Sequence, residues 1–200
     1  MEREASHYAW REEKTLGASL FTITDHRVDQ AEFILSPNFS DRPEVIKPTL
    51  LVIHNISLPP GEFGGPYIAD FFQNKLDASK HPFFEEIANL QVSSHLLIDR
   101  EGQLIQFVDL NKKAWHAGIS EFEGQKECND FSIGIELEGT DTDPYSDKQY
   151  FSLISLTNCL LESYSGISTE RIVGHSDIAP SRKTDPGVSF DWSRYKDSLT

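Results

Sequence analysis

Two hundred residues with 18 basic against 32 acidic side chains, a formal net charge of -14, describe an acidic globular chain long enough to bury one core. A charge of that sign excludes the electrostatic footprint that holds a nucleic-acid backbone or an anionic membrane surface. No apolar run approaches the ~20 residues that span a bilayer, and the charged start Met1-Glu-Arg-Glu lacks the apolar stretch of a secretory signal. Cys128 and Cys159 are too few for a disulfide framework, so a cytoplasmic location is the expectation.

Residues 1–20 are charged and poor in pattern; they read as an N-terminal extension, frayed or helical, ahead of a single domain over 21–200. Phe21-Thr-Ile-Thr24 and Phe33-Ile-Leu35 suit short strands, and Ser36 to Pro43 has loop composition. Thr49-Leu-Leu-Val-Ile-His54-Asn-Ile56 is an apolar run ended by polar residues, as in a strand buried on both faces. The Pro- and Gly-rich segment 59–66 must be a loop. Helical spacing follows over Tyr67–Lys75, where Ile68, Phe71 and Phe72 share a face, and a second short helix is expected over His81–Leu90.

Val92–Asp99 and Gln103–Val108 predict a hairpin turning at Gly102. Asn111 to Gly118 leads into a polar loop that runs to Asp130. Phe131 to Gly139 alternates like a strand, with Ile133, Ile135 and Leu137 on one side and Ser132, Gly134, Glu136 and Glu138 on the other. Ser146-Asp-Lys-Gln149 is a capping-box pattern opening a long helix that Gly166 ends. Arg171-Ile-Val-Gly reads as a short strand delivering His175 into a polar loop closed by Pro186-Gly187, and Trp192–Leu199 suits a last helix. Strands alternating with helices around one hairpin predict an α/β fold, a single mixed β-sheet flanked by helices.

His54 and His175 both end short apolar strands, and Asp185 closes the loop after the second. Neighbouring strand ends lie about 5 Å apart, so the three groups can meet at one sheet edge. Two histidines and a carboxylate leave a fourth position open, the arrangement of a catalytic zinc. The alternative is a pair of satisfied core histidines beside a surface charge pair. Glu136 stands in a strand of apolar residues and glycine; it suits a general base beside an activated water, or an outward-facing edge-strand glutamate like Glu138. Lys183 could stabilise an oxyanion, or be a solvated loop lysine in the way of Arg182. No HExxH helix, GxSxG elbow, GxGxxG or P-loop is present, and Glu127 and Asp130 beside Cys128 disfavour a thiolate nucleophile.

Four strings carry a resemblance: Val52-Ile-His-Asn-Ile-Ser-Leu-Pro-Pro-Gly-Glu-Phe-Gly-Gly-Pro66, Ala114-Trp-His-Ala-Gly118, Cys128-Asn-Asp-Phe-Ser-Ile-Gly-Ile-Glu-Leu-Glu-Gly-Thr-Asp141 and Ile178-Ala-Pro-Ser-Arg-Lys-Thr-Asp-Pro-Gly187. From about Pro48 to Trp192 the chain resembles the zinc-dependent N-acetylmuramoyl-L-alanine amidases of bacterial cell-wall recycling, relatives of the peptidoglycan recognition proteins. The resemblance implies one Zn²⁺ per chain on His54, His175 and Asp185, with Glu136 as the catalytic carboxylate and Lys183 as the oxyanion-stabilising cation. It places Asn55 and Trp115 in the sugar site and leaves His95 and His116 either near the metal without ligating it or, the preferred reading, simply structural. The implied substrate is a small soluble muropeptide, cut between (1,6-anhydro-)N-acetylmuramic acid and L-alanine; no protein partner is implied. Family members carry basic residues where this chain has Gln91 and Glu127, which points to weaker binding of the stem peptide. A muropeptide-binding protein that keeps the pocket for recognition alone is the rival reading, and the intact set of ligands with Glu136 and Lys183 favours the enzyme.

Overall fold

The computed structural model describes residues 20–44 and 46–200. The expected N-terminal extension therefore lies outside the described residues, apart from Leu20. The centre is a six-stranded mixed sheet of β1 (Glu32–Phe33), β2 (Leu50–Ile56), β3 (Leu96–Ile98), β4 (Leu104–Gln106), β5 (Ser132–Glu138) and β6 (Ile172–Gly174), in the order β6-β2-β5-β3-β4-β1. Only the predicted hairpin pair, β3 and β4, runs antiparallel; the other neighbours are parallel. Helices α1 (Tyr67–Phe72), α2 (Pro82–Ile87), α3 (Asp147–Ser163), α4 (His175–Ile178) and α5 (Trp192–Lys196) surround it.

The alternation along β5 divides the molecule. Ile133, Ile135 and Leu137 join Leu51, Ile53, Leu96, Ile98 and Ile172 on the face that α3 covers with Leu153, Leu156 and Leu160. Helix α3 begins at a complete capping box, in which the Ser146 hydroxyl accepts from Gln149 N and Ser146 N donates to Gln149 Oε1. The same Gln149 donates from Nε2 to the Glu138 carbonyl at 2.9 Å, so the cap also ties the helix to the sheet. On the opposite face, Leu50 and Val52 pack with Phe131 and Ile178, while Leu97 packs with Phe71, Phe72, Phe84 and Phe107. Between these two apolar clusters lie the polar residues of β2 and β5.

Several expectations need correction. β5 sits between β2 and β3, not at an edge, and all its residues are buried, so the edge-strand reading of Glu136 and Glu138 fails. The helix expected to Lys75 stops at Phe72 because Asn74 turns left-handed at φ 58°. The segment 36–43, read as loop, contains an added pairing of Phe39–Ser40 with Lys113–Ala114, and the strand expected over Phe21–Thr24 is reduced to Ile23–Thr24, paired with Arg27–Val28. The polar loop to Asp130 holds a hairpin, Glu121–Phe122 with Gln125–Lys126, around Glu123 (φ 50°) and Gly124 (φ 81°), the left-handed pair that a tight two-residue turn requires. After β6 the chain enters α4 directly at His175 and not a loop.

Candidate metal centre and active site

Register places the site. In the parallel pairing of β2 with β5, His54 lies opposite Glu136, and β6 ends at Gly174 opposite Ile53, so His175 emerges level with His54. These are the carboxyl ends of parallel strands, where open α/β sheets bind their ligands. Asp185 is brought to the same point by backbone: Ser176 N donates to the Asp185 carbonyl at 3.0 Å, and Gly174 has no Cβ where one would stand 2.8 Å from Pro186 Cδ. Gly187 (φ 84°) packs so closely that a Cβ there would lie 2.1 Å from Asp141 Cα.

His54 Nδ1, His175 Nδ1 and Asp185 Oδ2 stand 3.0 Å from one another, a triangle of three ligand atoms. The other ring nitrogens show which atoms carry protons. His175 Nε2 lies 3.0 Å from the Ala117 carbonyl, which can only accept, so the hydrogen sits on Nε2 and Nδ1 is a bare lone pair in the neutral ring. His54 Nε2 faces His116 Nδ1 at 2.9 Å. Burial, against the opposing pull of Asp185, pushes the His54 pKa down to about 4, and its ring is neutral. Burial also works to raise the Asp185 carboxyl, but its contacts with His175 and His54 outweigh that and hold it well below the usual range. Two imidazole lone pairs and a carboxylate pointing at one spot fit a divalent cation with N and O ligands, as Zn²⁺ is.

Glu136 faces this cluster. It is 9% exposed, and its Oε2 has no hydrogen-bond partner among the described residues. Burial first, and the Asp185 carboxylate second, push its pKa well above the usual value, while the Lys183 ammonium pulls it part of the way back. Lys183 also disfavours a charge on His54, so the half-buried loop lysine stands within electrostatic reach of both. A buried carboxyl with a free oxygen beside a cation site is placed to take and return a proton.

The remaining predicted residues have their own surroundings. Asn55 Nδ2 donates to Asp141 Oδ1 at 2.9 Å and to the Pro186 carbonyl at 3.1 Å, so it offers a ligand only its oxygen. Trp115 is half-buried, its backbone joined to Ser93 and its indole N–H 3.4 Å from Ser40 Oγ. Gln91 and Glu127 are exposed. Three residues have more to do than their sequence context suggests. Arg182 is no freely solvated side chain: its Nη2 donates to the Ala117 carbonyl at 2.6 Å and the Ile119 carbonyl at 2.9 Å, joining two site loops. The Tyr145 hydroxyl donates to the Pro186 carbonyl at 2.7 Å and steadies the chain beside Asp185. His116, read as either near the metal without ligating it or structural, bonds directly to His54. Nothing in composition or spacing marks Arg182 or Tyr145; His116 could have been suspected as a histidine within an apolar string.

The N-acetylmuramoyl-L-alanine amidase family matches residues 44–188. This chain belongs to that family. It is 57% identical over 170 residues to the 1,6-anhydro-N-acetylmuramyl-L-alanine amidase AmpD of Enterobacter cloacae, an alignment covering 85% of this chain and 90% of that one. Its structure is similar to the crystal structure of a selenomethionine AmpD derivative, with a TM-score of 0.87 and 50% identity over 89% of this chain and 99% of the other. The Escherichia coli amidase AmiD, solved in complex with the substrate anhydro-N-acetylmuramic acid-L-Ala-D-gamma-Glu-L-Lys, superposes at a TM-score of 0.56 with 28% identity over 80% of this chain and 65% of that one. The mixed sheet flanked by helices is thus the amidase fold. Among the described residues no helix is long and apolar enough to cross a membrane.

Proposed function

We propose that this amidase hydrolyses the amide joining (1,6-anhydro-)N-acetylmuramic acid to the L-alanine of small soluble muropeptides, in cell-wall recycling, with residues 21–200 acting as one catalytic domain. The observation that carries the reading is a buried carboxyl, Glu136, with an oxygen unpartnered among the described residues, facing two imidazole lone pairs and a carboxylate 3.0 Å apart. His54, His175 and Asp185 would hold one Zn²⁺, which polarises the amide carbonyl and lowers the pKa of a water toward about 7. Glu136 takes a proton from the attacking water and returns it to the departing alanine nitrogen; burial and the Asp185 carboxylate raise its pKa, which strengthens it as a base. Lys183 supplies positive charge to the oxygen on which negative charge develops. Asn55, through its oxygen, and the indole face of Trp115 suit the sugar, and the loop 59–66 borders it.

A chain with two cysteines in all, too few for a disulfide framework, suits a reducing compartment such as the cytoplasm, which soluble turnover fragments enter. An anhydro sugar has no anomeric hydroxyl, so a pocket walled by an indole accepts it without leaving polar groups unmet. Anhydromuramoyl-peptides should therefore show the higher kcat/KM, reducing muropeptides a lower one, and intact sacculi slow turnover. Timed digests followed by mass spectrometry measure this; equal cleavage of all three would remove the recycling role and leave the amidase chemistry.

A further inference from the structure

The steps above use no proton on His116, yet this half-buried residue connects a ligand histidine to the backbone. Its Nε2 lies 3.0 Å from Ser132 Oγ, and that hydroxyl lies 2.6 Å from the Cys128 carbonyl. A carbonyl only accepts, so the single serine hydrogen points at Cys128 and Ser132 Oγ is left to accept from His116 Nε2. Neutral His116 then has a bare Nδ1, which accepts from His54 Nε2 at 2.9 Å. His54 in turn must present Nδ1 as a lone pair, at the corner it shares with His175 and Asp185. Four groups in series thus have one consistent direction of donation, set at its far end by a peptide oxygen.

Local packing holds the ring in this role. The Asn129 side-chain oxygen accepts from both His116 N and Ala117 N, which fixes the backbone on which the ring is carried. Gly134 of β5 gives it room: a Cβ there would stand 2.6 Å from His116 Cγ and Nδ1. The His54 and His116 rings meet edge to face at 85°.

We propose that His116 is a positioning residue: together with Ser132 it locks His54 in the Nε2–H tautomer and so presents Nδ1 to the metal. The proposal rests on the zinc reading of the three-ligand cluster. A ligand histidine's outer partner of this kind is worth about 10–100-fold in metal affinity. The test uses the full chain, with zinc affinity measured by chelator competition and the His54 tautomer read by ¹⁵N NMR of the metal-stripped protein. His116→Leu should bind zinc about 10–100-fold more weakly and lose the single Nε2–H state of His54. His116→Asn, whose Oδ1 falls near the lost Nδ1, should recover most of the affinity, a rescue that a space-filling role would not produce. Ser132→Ala, a smaller change that serves if the leucine variant does not fold, removes only the acceptor that orients His116. It should leave His54 in a mixture of tautomers. A leucine variant with wild-type zinc affinity, or a Ser132→Ala variant with His54 still wholly Nε2–H, overturns the proposal. Wild-type protein that takes up no zinc overturns the metal reading instead, and the tautomer measurement still decides the part played by His116.

Discussion

Glu136→Gln tests whether the site is built at the expense of stability. In the metal-free chain the wild-type carboxyl is buried with Oε2 unpartnered among the described residues, and its pKa is raised first by burial and then by the Asp185 carboxylate. A group whose folded pKa is raised stabilises the fold below its unfolded value, 4.5 here, and that contribution is lost as pH rises through the folded value. Over that window the unfolded carboxyl is ionised while the folded one stays protonated, which costs about 1.4 kcal/mol for each pH step. Glutamine is neutral throughout and escapes the loss. The amide keeps the ~1–3 kcal/mol cost of a neutral buried polar group that the protonated carboxyl also carries, so only ionisation separates the two proteins. Chelator-treated Glu136→Gln should therefore exceed wild type by about 1–3 kcal/mol at pH 8 and by little near pH 4. Urea unfolding at pH 4, 6 and 8 measures the difference. The zinc-loaded variant should meanwhile lose about 10²–10⁴ in kcat with zinc affinity and KM nearly unchanged. Parallel stability-against-pH curves for the two proteins would refute the unpaired buried carboxyl, and a retained kcat would refute its role as base.

Metal analysis of purified protein should find about one zinc per chain, consistent with a single ligand set, and His175→Ala should abolish both metal and activity; full occupancy in that variant would exclude His175 as a ligand. Lys183→Ala should lower kcat by about 10²–10³, as loss of one oxyanion partner does, with the fold intact; unchanged steady-state kinetics would return Lys183 to the solvated loop. Gly187→Ala combines a left-handed backbone with a Cβ 2.1 Å from Asp141 Cα. It should lower Tm and zinc affinity together, because Asp185 lies two residues away; a variant with normal values of both would show that the 185–187 turn is compliant.

The main sheet was legible because buried strands announce themselves. Leu50–Ile53 and Ile133–Leu137 are apolar at the positions that face α3, and the capping box of α3 stands in plain sequence. The meeting of His54, His175 and Asp185 was legible from the two strand-end histidines, although only the register of Glu136 with His54 and of Gly174 with Ile53 shows why they meet. Periodicity divided the faces of β5 correctly but could not exclude the edge-strand alternative, since alternation with polar residues usually marks one wet face. That face is in fact covered by His116 and by the loops carrying Gly64 and Arg100. Side-chain partners reached through the fold were not legible: Arg182 lies more than 60 residues from the carbonyls it joins, and Tyr145 reaches across 41 positions to Pro186. Local pattern carries no information about such pairs.

Glu136 and Glu138 show how one strand gives two like side chains different work. They are two positions apart on the same face of β5 and both are buried, so sequence spacing cannot separate them. Glu138 has both oxygens occupied: Gly64 N donates to Oε1 at 2.5 Å and Arg100 N to Oε2 at 3.1 Å. Arg100 also places its guanidinium 4.7 Å over the Phe63 ring. That carboxylate is spent on holding the glycine-rich loop 59–66 against the turn after β3, and its charge is met by backbone donors. The loop is thereby tethered at its tip, which favours a fixed wall over a freely swinging lid. Glu136 has no such donors among the described residues and faces the Asp185 carboxylate, so its charge is costly and its proton is retained to higher pH. Partnering, not position in the strand, makes one glutamate a fastening and leaves the other able to exchange a proton with what enters the site.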